Sequence, residues 1–231
     1  MGVSSGPNLV SKDLALAYDF SSPRSWVSDS STVYDLTGNN NNATVNGSPA
    51  TGAANGFQLT YMEFDGTDDY LQITANDATL DFQEGQTLGF VFYHSYTSGR
   101  RNLWDQAYGG YGTWTHESGN QISYYYGSNG GNSTPYKGFN TGNIPNDQWD
   151  YVVTSRFDGG AKSYLNGVEL ASTSDSYTPM STTTTNNIRI GIGYTGVYFA
   201  GNIALIHAYR RGLSDEEIQQ NYDALKQRYN V

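Results

Sequence analysis

Four carboxylates, Glu63, Asp65, Asp68 and Asp69, fall within seven residues of the segment EFDGTDDYLQI, in a chain where only 15% of residues are charged. Paired carboxylates are the chemistry of glycoside cleavage. A retaining enzyme needs a nucleophile and an acid/base about 5–5.5 Å apart, projecting from a rigid strand into one cleft. Alternate residues of an unbroken strand can supply that spacing. Here Gly66-Thr67 interrupts the run directly after Asp65, and Asp-Gly is itself a turn signal. Position 68 is Asp, one methylene shorter than the glutamate such a ladder would place there. The segment therefore reads as strand, tight acidic turn, strand, and no catalytic residue is expected.

Two further patterns invite chemistry and do not support it. Gly191-Ile-Gly193-Tyr-Thr-Gly196 spells G-x-G-x-x-G, but a dinucleotide site requires a helix to follow, and here Val197-Tyr-Phe-Ala leads into another strand pattern. His94, His116 and His207 are far apart and lack neighbours at metal-ligand or nucleophile spacing. They read as strand residues.

The segment 102–139 is different. Trp104, Tyr108, Tyr111, Trp114, Tyr124, Tyr125, Tyr126, Tyr136 and Phe139 are interleaved there with Gly, Asn and Ser. Exposed aromatic faces beside amides and carboxylates suit sugar rings, whose C–H faces stack while their hydroxyls bond to the polar groups. The same surface suits a protein partner. Trp104, Tyr108, Tyr111, Trp114, Tyr125 and Tyr136 are the expected ligand contacts, because turn glycines flank or separate them. The competing reading places each in the core, since alternation along a strand buries one set and exposes the other.

The net charge is −10, the 12 Lys and Arg form no long run, and the basic pairs are Arg100-Arg101 and Arg210-Arg211. A nucleic-acid ligand would need a basic footprint, so none is expected, nor is attraction to anionic membranes. Without cysteine, disulfides and thiolate metal sites are excluded. GVSSGPNLV after Met1 lacks the basic and apolar regions of a signal peptide, and no apolar run approaches a membrane span. Synthesis in a cytoplasm is the expectation, with no membrane insertion.

The elements that must position these groups are mostly strands. The 231 residues fit one large β domain, with residues 1–10 as a flexible lead and 11–231 as a single domain. Hydrophobic residues make up 37%, and 20 Tyr, 9 Phe and 4 Trp supply large buriable area that suits pleated surfaces. About a dozen short strands are expected, from Leu14–Phe20 to Gly201–Tyr209, with Ile188, Ile190 and Ile192 sharing one face. Leu165-Asn-Gly-Val168 is a two-residue hairpin signal. One helix closes the chain in LSDEEIQQNYDALKQRY. Ser214 and Glu217 form a capping box there, and Ile218, Tyr222, Leu225 and Tyr229 form an apolar face.

Taken together, these segments resemble the laminin-G-like, concanavalin A-like jelly rolls. The resemblance rests on LALAYDF with TVYDLTGNNNNATVNG, on MEFDGTDDYLQI, on DQWDYVVTSRFDGGAKSYLNGVELAS and on FAGNIALIHAYRRGLSDEEIQQNYDALKQRY. It implies an all-β antiparallel sandwich with one C-terminal α-helix. The lead GPNLVSKDLALAYDF and the ending LSDEEIQQNYDALKQRY are similar to those of structural proteins of tailed bacteriophages. That resemblance implies a non-enzymatic, lectin-like component of the virion surface, in a capsid decoration or a fibre. Its partners would be other virion proteins, further copies on the particle and host-surface glycans. The rival readings are a glycan-degrading enzyme on the same fold and a decoration protein without a ligand. Many relatives carry a structural calcium, often with an Asp in the last strand. Ala204 stands at that position, so no metal or other cofactor is expected by default. Asp65, Asp68 and Asp69 are the oxygen ligands that would suit calcium.

Overall fold

A computed structural model of the chain describes residues 8–54, 59–74, 78–82, 84–95, 99–107, 112–117, 121–127, 136–174, 186–193 and 196–231. The elements begin with β1 (Leu14–Asp19), β2 (Thr32–Val33), β3 (Ala43–Asn46), β4 (Ala50–Ala54), β5 (Leu59–Asp65) and β6 (Tyr70–Ile73). They continue with β7 (Gln86–Tyr93), β8 (Arg101–Ala107), β9 (Gly112–Glu117), β10 (Gln121–Gly127) and β11 (Tyr136–Asn143). After these come β12 (Trp149–Phe157), β13 (Gly160–Leu165), β14 (Val168–Ser174), β15 (Ile188–Ile190), β16 (Ala200–Tyr209) and the helix α1 (Asp215–Tyr229).

The strands form two eight-stranded antiparallel sheets. The first runs β14-β13-β12-β7-β16-β5-β4, with β1 also pairing with β16. The second runs β11-β10-β9-β8-β15-β6-β3-β2. Leu88, Phe90 and Phe92 of β7 enter the core between the sheets, while Val91 joins a second core on the outer face of the first sheet. A strand buried on both faces reads as a continuous apolar run, as FVFY does. In β16 the register shifts between Ile203 and Leu205, so Ala204 and Leu205 both face the second core and Ile206 returns to the first. A bulge of this kind re-aims side chains without ending the pairing.

The outer core is roofed by α1. Ile218, Leu225 and Tyr229 are buried against Val91, Tyr151 and Val153 of the sheet. Burying an aliphatic side chain of this size contributes about 1.5–3 kcal/mol. The Ser214 hydroxyl accepts the Glu217 amide at 3.3 Å, and the Glu217 carboxylate accepts the Ser214 amide at 3.0 Å. Arg211 adds two 2.6 Å hydrogen bonds to the same carboxylate and holds it below the usual carboxylate range. No helix among the described residues is long and apolar enough to cross a membrane.

Asn166 and Gly167 turn the β13–β14 hairpin with φ of 50° and 81°, as the Asn-Gly pair predicts. Of the expected lead, residues 1–7 lie outside the described residues. Val10 is buried in the helix-side core, and Gln220 donates to the Asn8 carbonyl at 2.8 Å, so residues 8–10 are part of the packed domain.

Candidate functional site

The acidic turn between β5 and β6 is built by its own carboxylates. Asp65 Oδ1 accepts the amides of Thr67 at 2.7 Å and Asp68 at 3.3 Å. Asp69 Oδ2 accepts the Asp65 amide at 3.0 Å, and its Oδ1 accepts the Ser48 amide at 2.8 Å. The Thr67 amide holds the Asp65 carboxyl below its ordinary value, and burial pushes Asp69 above it. Two carboxylates shifted apart are the signature of an acid and its partner base. Here, however, each oxygen of Asp69 faces a main-chain amide, and the residue is buried. Gly47 has φ of 76°, and any Cβ there would sit 2.4 Å from Asp69 Oδ1. The cluster therefore ties β5, β6 and the β3–β4 connection together.

The same three aspartates offer oxygens within 4.8 Å of one another, with Asp65 and Asp68 exposed. Their donor chemistry fits a hard cation such as calcium, although the amides already use much of it. Ala204 does not belong to this cluster. Ala200 is the β16 residue paired with Asp65, and Ala204 lies four residues further on, about 13 Å at the usual strand rise.

The aromatic segment is split by the pleat. Trp104 and Trp114 are opposite each other on β8 and β9 and are 0% exposed. Their rings lie 6.3 Å from Phe82 and 4.7 Å from Phe90 respectively. Neither indole has a face open to a ligand, so the expectation that they contact one is corrected: they fill the space between the sheets. Tyr124, Tyr126 and Phe139 join the same core. Tyr108 and Tyr111 lie outside the described residues. Tyr136 opens β11, and its side chain is likewise outside the described set.

Tyr125 is the expected contact that the structure places on the outer face, half-buried. Its ring crosses the backbone of Gly138, where a Cβ would meet it at 2.4 Å. The Arg100 guanidinium lies 5.6 Å from the ring centroid, within cation–π range. The register carries the same outward row across the sheet through Asp105 on β8, Arg189 on β15, Gln72 on β6 and Thr44 on β3. Arg189 Nη2 meets Asp105 Oδ2 at 2.7 Å, with Asp105 buried and Arg189 partly exposed. Two residues along, Ser123 donates to Asn140 Oδ1 at 2.7 Å. The face thus combines an aromatic ring, two guanidinium groups and several amides and hydroxyls. Sequence reasoning missed Gln72 and Arg189 because they lie on separate strands, and it noted Arg100, just before β8, only as half of a basic pair. The only sequence signal of Gln72 and Arg189 was the outward phase of alternation.

A cavity of about 290 Å³ opens beside the acidic turn, lined by Trp26, Asp29, Ser30, Ser31 and Ser48 among others. At its edge Trp26 Nε1 donates to Thr51 Oγ1 at 3.3 Å.

No curated protein matches the chain in sequence. Among solved structures, the receptor-binding domain of the botulinum neurotoxin C/D mosaic serotype superposes with a TM-score of 0.69 at 12% identity, over 94% of this chain and 52% of that one. The binding domain of botulinum neurotoxin DC in complex with rat synaptotagmin II gives 0.68 at 14% identity, over 94% and 52%. Domain 4 of AbnA, a GH43 extracellular arabinanase from Geobacillus stearothermophilus, solved in complex with arabinotriose, gives 0.69 at 16% identity, over 91% and 98%. The chain spans about half the length of the toxin domains and nearly all of the arabinanase domain. At these identities the likeness establishes the shared fold. Residues 65–219 match the laminin-G-like family described as the concanavalin A-like lectin/glucanases superfamily, and the chain belongs to it.

Proposed function

We propose that this protein is a non-catalytic glycan-recognition module whose binding face is the outer surface of the second sheet around Tyr125. The observation that carries the reading is the outward row from Tyr125 through Asp105 and Arg189 to Gln72. Asp105 fixes the Arg189 guanidinium by a charge-assisted hydrogen bond, which orients its remaining donors toward a ligand. The Tyr125–Arg100 stack offers an amphipathic plane beside them. Sugar hydroxyls need planar donors and acceptors held in place, with a ring to lie against, and this row supplies both. The arabinanase domain solved with arabinotriose supports the reading by analogy of fold alone.

The absence of turnover belongs to the same proposal. Both oxygens of Asp69 and one of Asp65 are taken by main-chain amides that shape the turn, and on our reading this leaves Glu63 without a second carboxylate poised for acid/base work. The setting we propose is the surface of a tailed-phage particle, as a capsid decoration or fibre component that contacts the host. The lead and the ending that carry this resemblance pack against each other through Val10, Tyr209 and Asn221. A broad glycan array probed with the purified chain, together with a reducing-end assay on the glycans it retains, tests the reading. Binding without release of reducing ends is the expected result. An empty array would favour decoration without a ligand, and release above background would favour the enzyme.

A further inference from the structure

The outer face of the first sheet carries a second set of groups that neither the acidic turn nor the Tyr125 face accounts for. Beyond the helix, the register sets Glu63, Asn202, Tyr93 and Trp149 side by side on β5, β16, β7 and β12. Their chain neighbours Met62, Ile203 and Phe92 point into the core, so these four point away from it. Tyr61 joins them. Its ring lies 5.3 Å from Trp149, which in turn lies 5.9 Å from Tyr93. Tyr61 and Trp149 start on strands separated by β16 and β7, so the two rings bridge those strands and form a shared aromatic floor. Gly52 admits this arrangement, because a Cβ there would sit 2.2 Å from the Tyr61 ring.

The polar groups around the floor have little to do within the protein. Glu63 is exposed and enters no ion pair or hydrogen bond among the described residues, and the Asn202 amide, the Trp149 indole N–H and the Tyr61 hydroxyl make no hydrogen bond there either. The side chain of Asp147, also exposed, is engaged among the described residues only by the Tyr93 hydroxyl, at 3.4 Å. Three half-buried rings are thus ringed by two carboxylates, an amide and an indole N–H, all available to a ligand.

We propose that this ledge is a second saccharide-binding site, on the opposite sheet from the Tyr125 face, and that it takes uncharged sugars. Trp149 offers its ring to the C–H face of the sugar, and Glu63 and Asp147 accept its hydroxyl protons. Asn202 both donates and accepts. The two carboxylates, in a chain of net charge −10, repel uronic and sialic acids. The Tyr125 face, bearing Arg100 and Arg189, carries the opposite local charge. The inference rests on the reading of the chain as glycan-binding but not on the Tyr125 face itself, and two sites on opposite sheets would let one copy engage two chains at once.

Trp149 reports on its own site. Of the four tryptophans, Trp26, Trp104 and Trp114 are buried, and Trp149 is the one that is partly exposed. Acrylamide quenching of the purified chain therefore reads Trp149, with arabinotriose, maltotriose, chitotriose, sialyllactose and tetramethylammonium as probes. A neutral oligosaccharide is expected to protect Trp149 from quenching equally in wild type and in Tyr125→Ala. In Asn202→Ala the affinity for that probe should fall at least tenfold with circular dichroism and melting unchanged. In Tyr61→Ala it should fall as far with circular dichroism unchanged and melting lowered, because the ring packs on Trp149. Should both variants unfold, Glu63→Gln, an exposed change, serves in their place and should weaken the same probe.

The two sites separate cleanly. Binding that survives Tyr125→Ala and is lost in Trp149→Phe, read by calorimetry, would support the ledge while removing the Tyr125 face. Binding lost in Tyr125→Ala with Trp149 never protected would overturn the ledge alone. Protection by tetramethylammonium and by no saccharide would also overturn it, since the site would then take organic cations. No protection by any probe overturns it as well.

Discussion

Asn221, in the middle of α1, accepts the backbone N–H of Val10 at 2.8 Å across 211 positions of sequence. Its amide donates to the Tyr209 hydroxyl at 3.1 Å, and that hydroxyl donates to the Val10 carbonyl at 2.9 Å. All three residues are buried, so the loop of bonds fastens the chain's start to its end away from water. Replacing Asn221 with Leu leaves the Val10 N–H buried and unpaired. The expected cost is about 1–3 kcal/mol, read as a lower denaturant midpoint with an unchanged slope. An unchanged midpoint would mean that residues 8–10 do not belong to the packed domain.

His207 should make stability fall in mild acid. It is fully buried between Tyr151 and Tyr209, bonded to the Tyr151 hydroxyl through Nε2 at 2.8 Å, and its ring covers Gly89. Burial pushes its pKa down from 6.5 to about 3. Above pH 6.5 the imidazole is neutral in both states and contributes no pH dependence. Below it the unfolded chain binds a proton that the folded chain refuses, so stability drops as pH falls from 6.5 toward 3, by about 1.4 kcal/mol per unit. His207→Gln should flatten the slope most between about pH 6 and 5.5, where carboxylates of ordinary pKa contribute least. An identical slope in the variant would show that His207 is not the group responsible.

Calcium should matter little. The Asp65–Asp69 turn already satisfies itself through main-chain amides, and Ala204 supplies no ligand. A site filled a hundredfold above its dissociation constant would add about 2.7 kcal/mol. Melts with millimolar calcium and with chelator are therefore expected to coincide closely. A large chelator-induced drop that vanishes in Asp68→Asn would establish a bound ion at the turn.

Trp104 and Trp114 should behave as core. Either one changed to Ala is expected to cost about 3–5 kcal/mol, the usual range for a buried aromatic, and any loss of binding should follow the loss of fold. A variant that kept its melting temperature while losing a ligand would contradict the inter-sheet placement.

Much of this fold was legible because its strands are aromatic and branched. LALAYD, QTLGFVFY and WDYVVTSRF announce themselves by composition, Asn166-Gly167 by its turn chemistry, and α1 by its cap. The strands that escaped notice are those with no such signal. ATGAA of β4 has a single branched residue, Thr51, and no aromatic, and exists because β5 pairs with it and Tyr61 lies over Gly52. β2 and β3 sit in an Asn-rich stretch that reads as loop, and YKGFNTGN of β11 is paired into place by β10. The candidate site was harder, because its residues meet through register across strands rather than through spacing along one. Turn glycines near Trp104 and Trp114 suggested exposure, but the pleat decided the matter and sent both inward while Tyr125 faced out. Trp149 was visible in DQWDYVV, but only the pairing of four strands shows what stands beside it.

The central claim is that the Tyr125 face holds a glycan without cleaving it. Calorimetric titration of the tightest array glycan into wild type, Tyr125→Ala and Arg189→Met, with melting curves on the same samples, tests it most directly. The account predicts that both variants keep their fold, that each loses at least tenfold in affinity (about 1.4 kcal/mol), and that the glycan is recovered intact. Unchanged affinity in both variants, or recovery of a cleaved glycan, would contradict it.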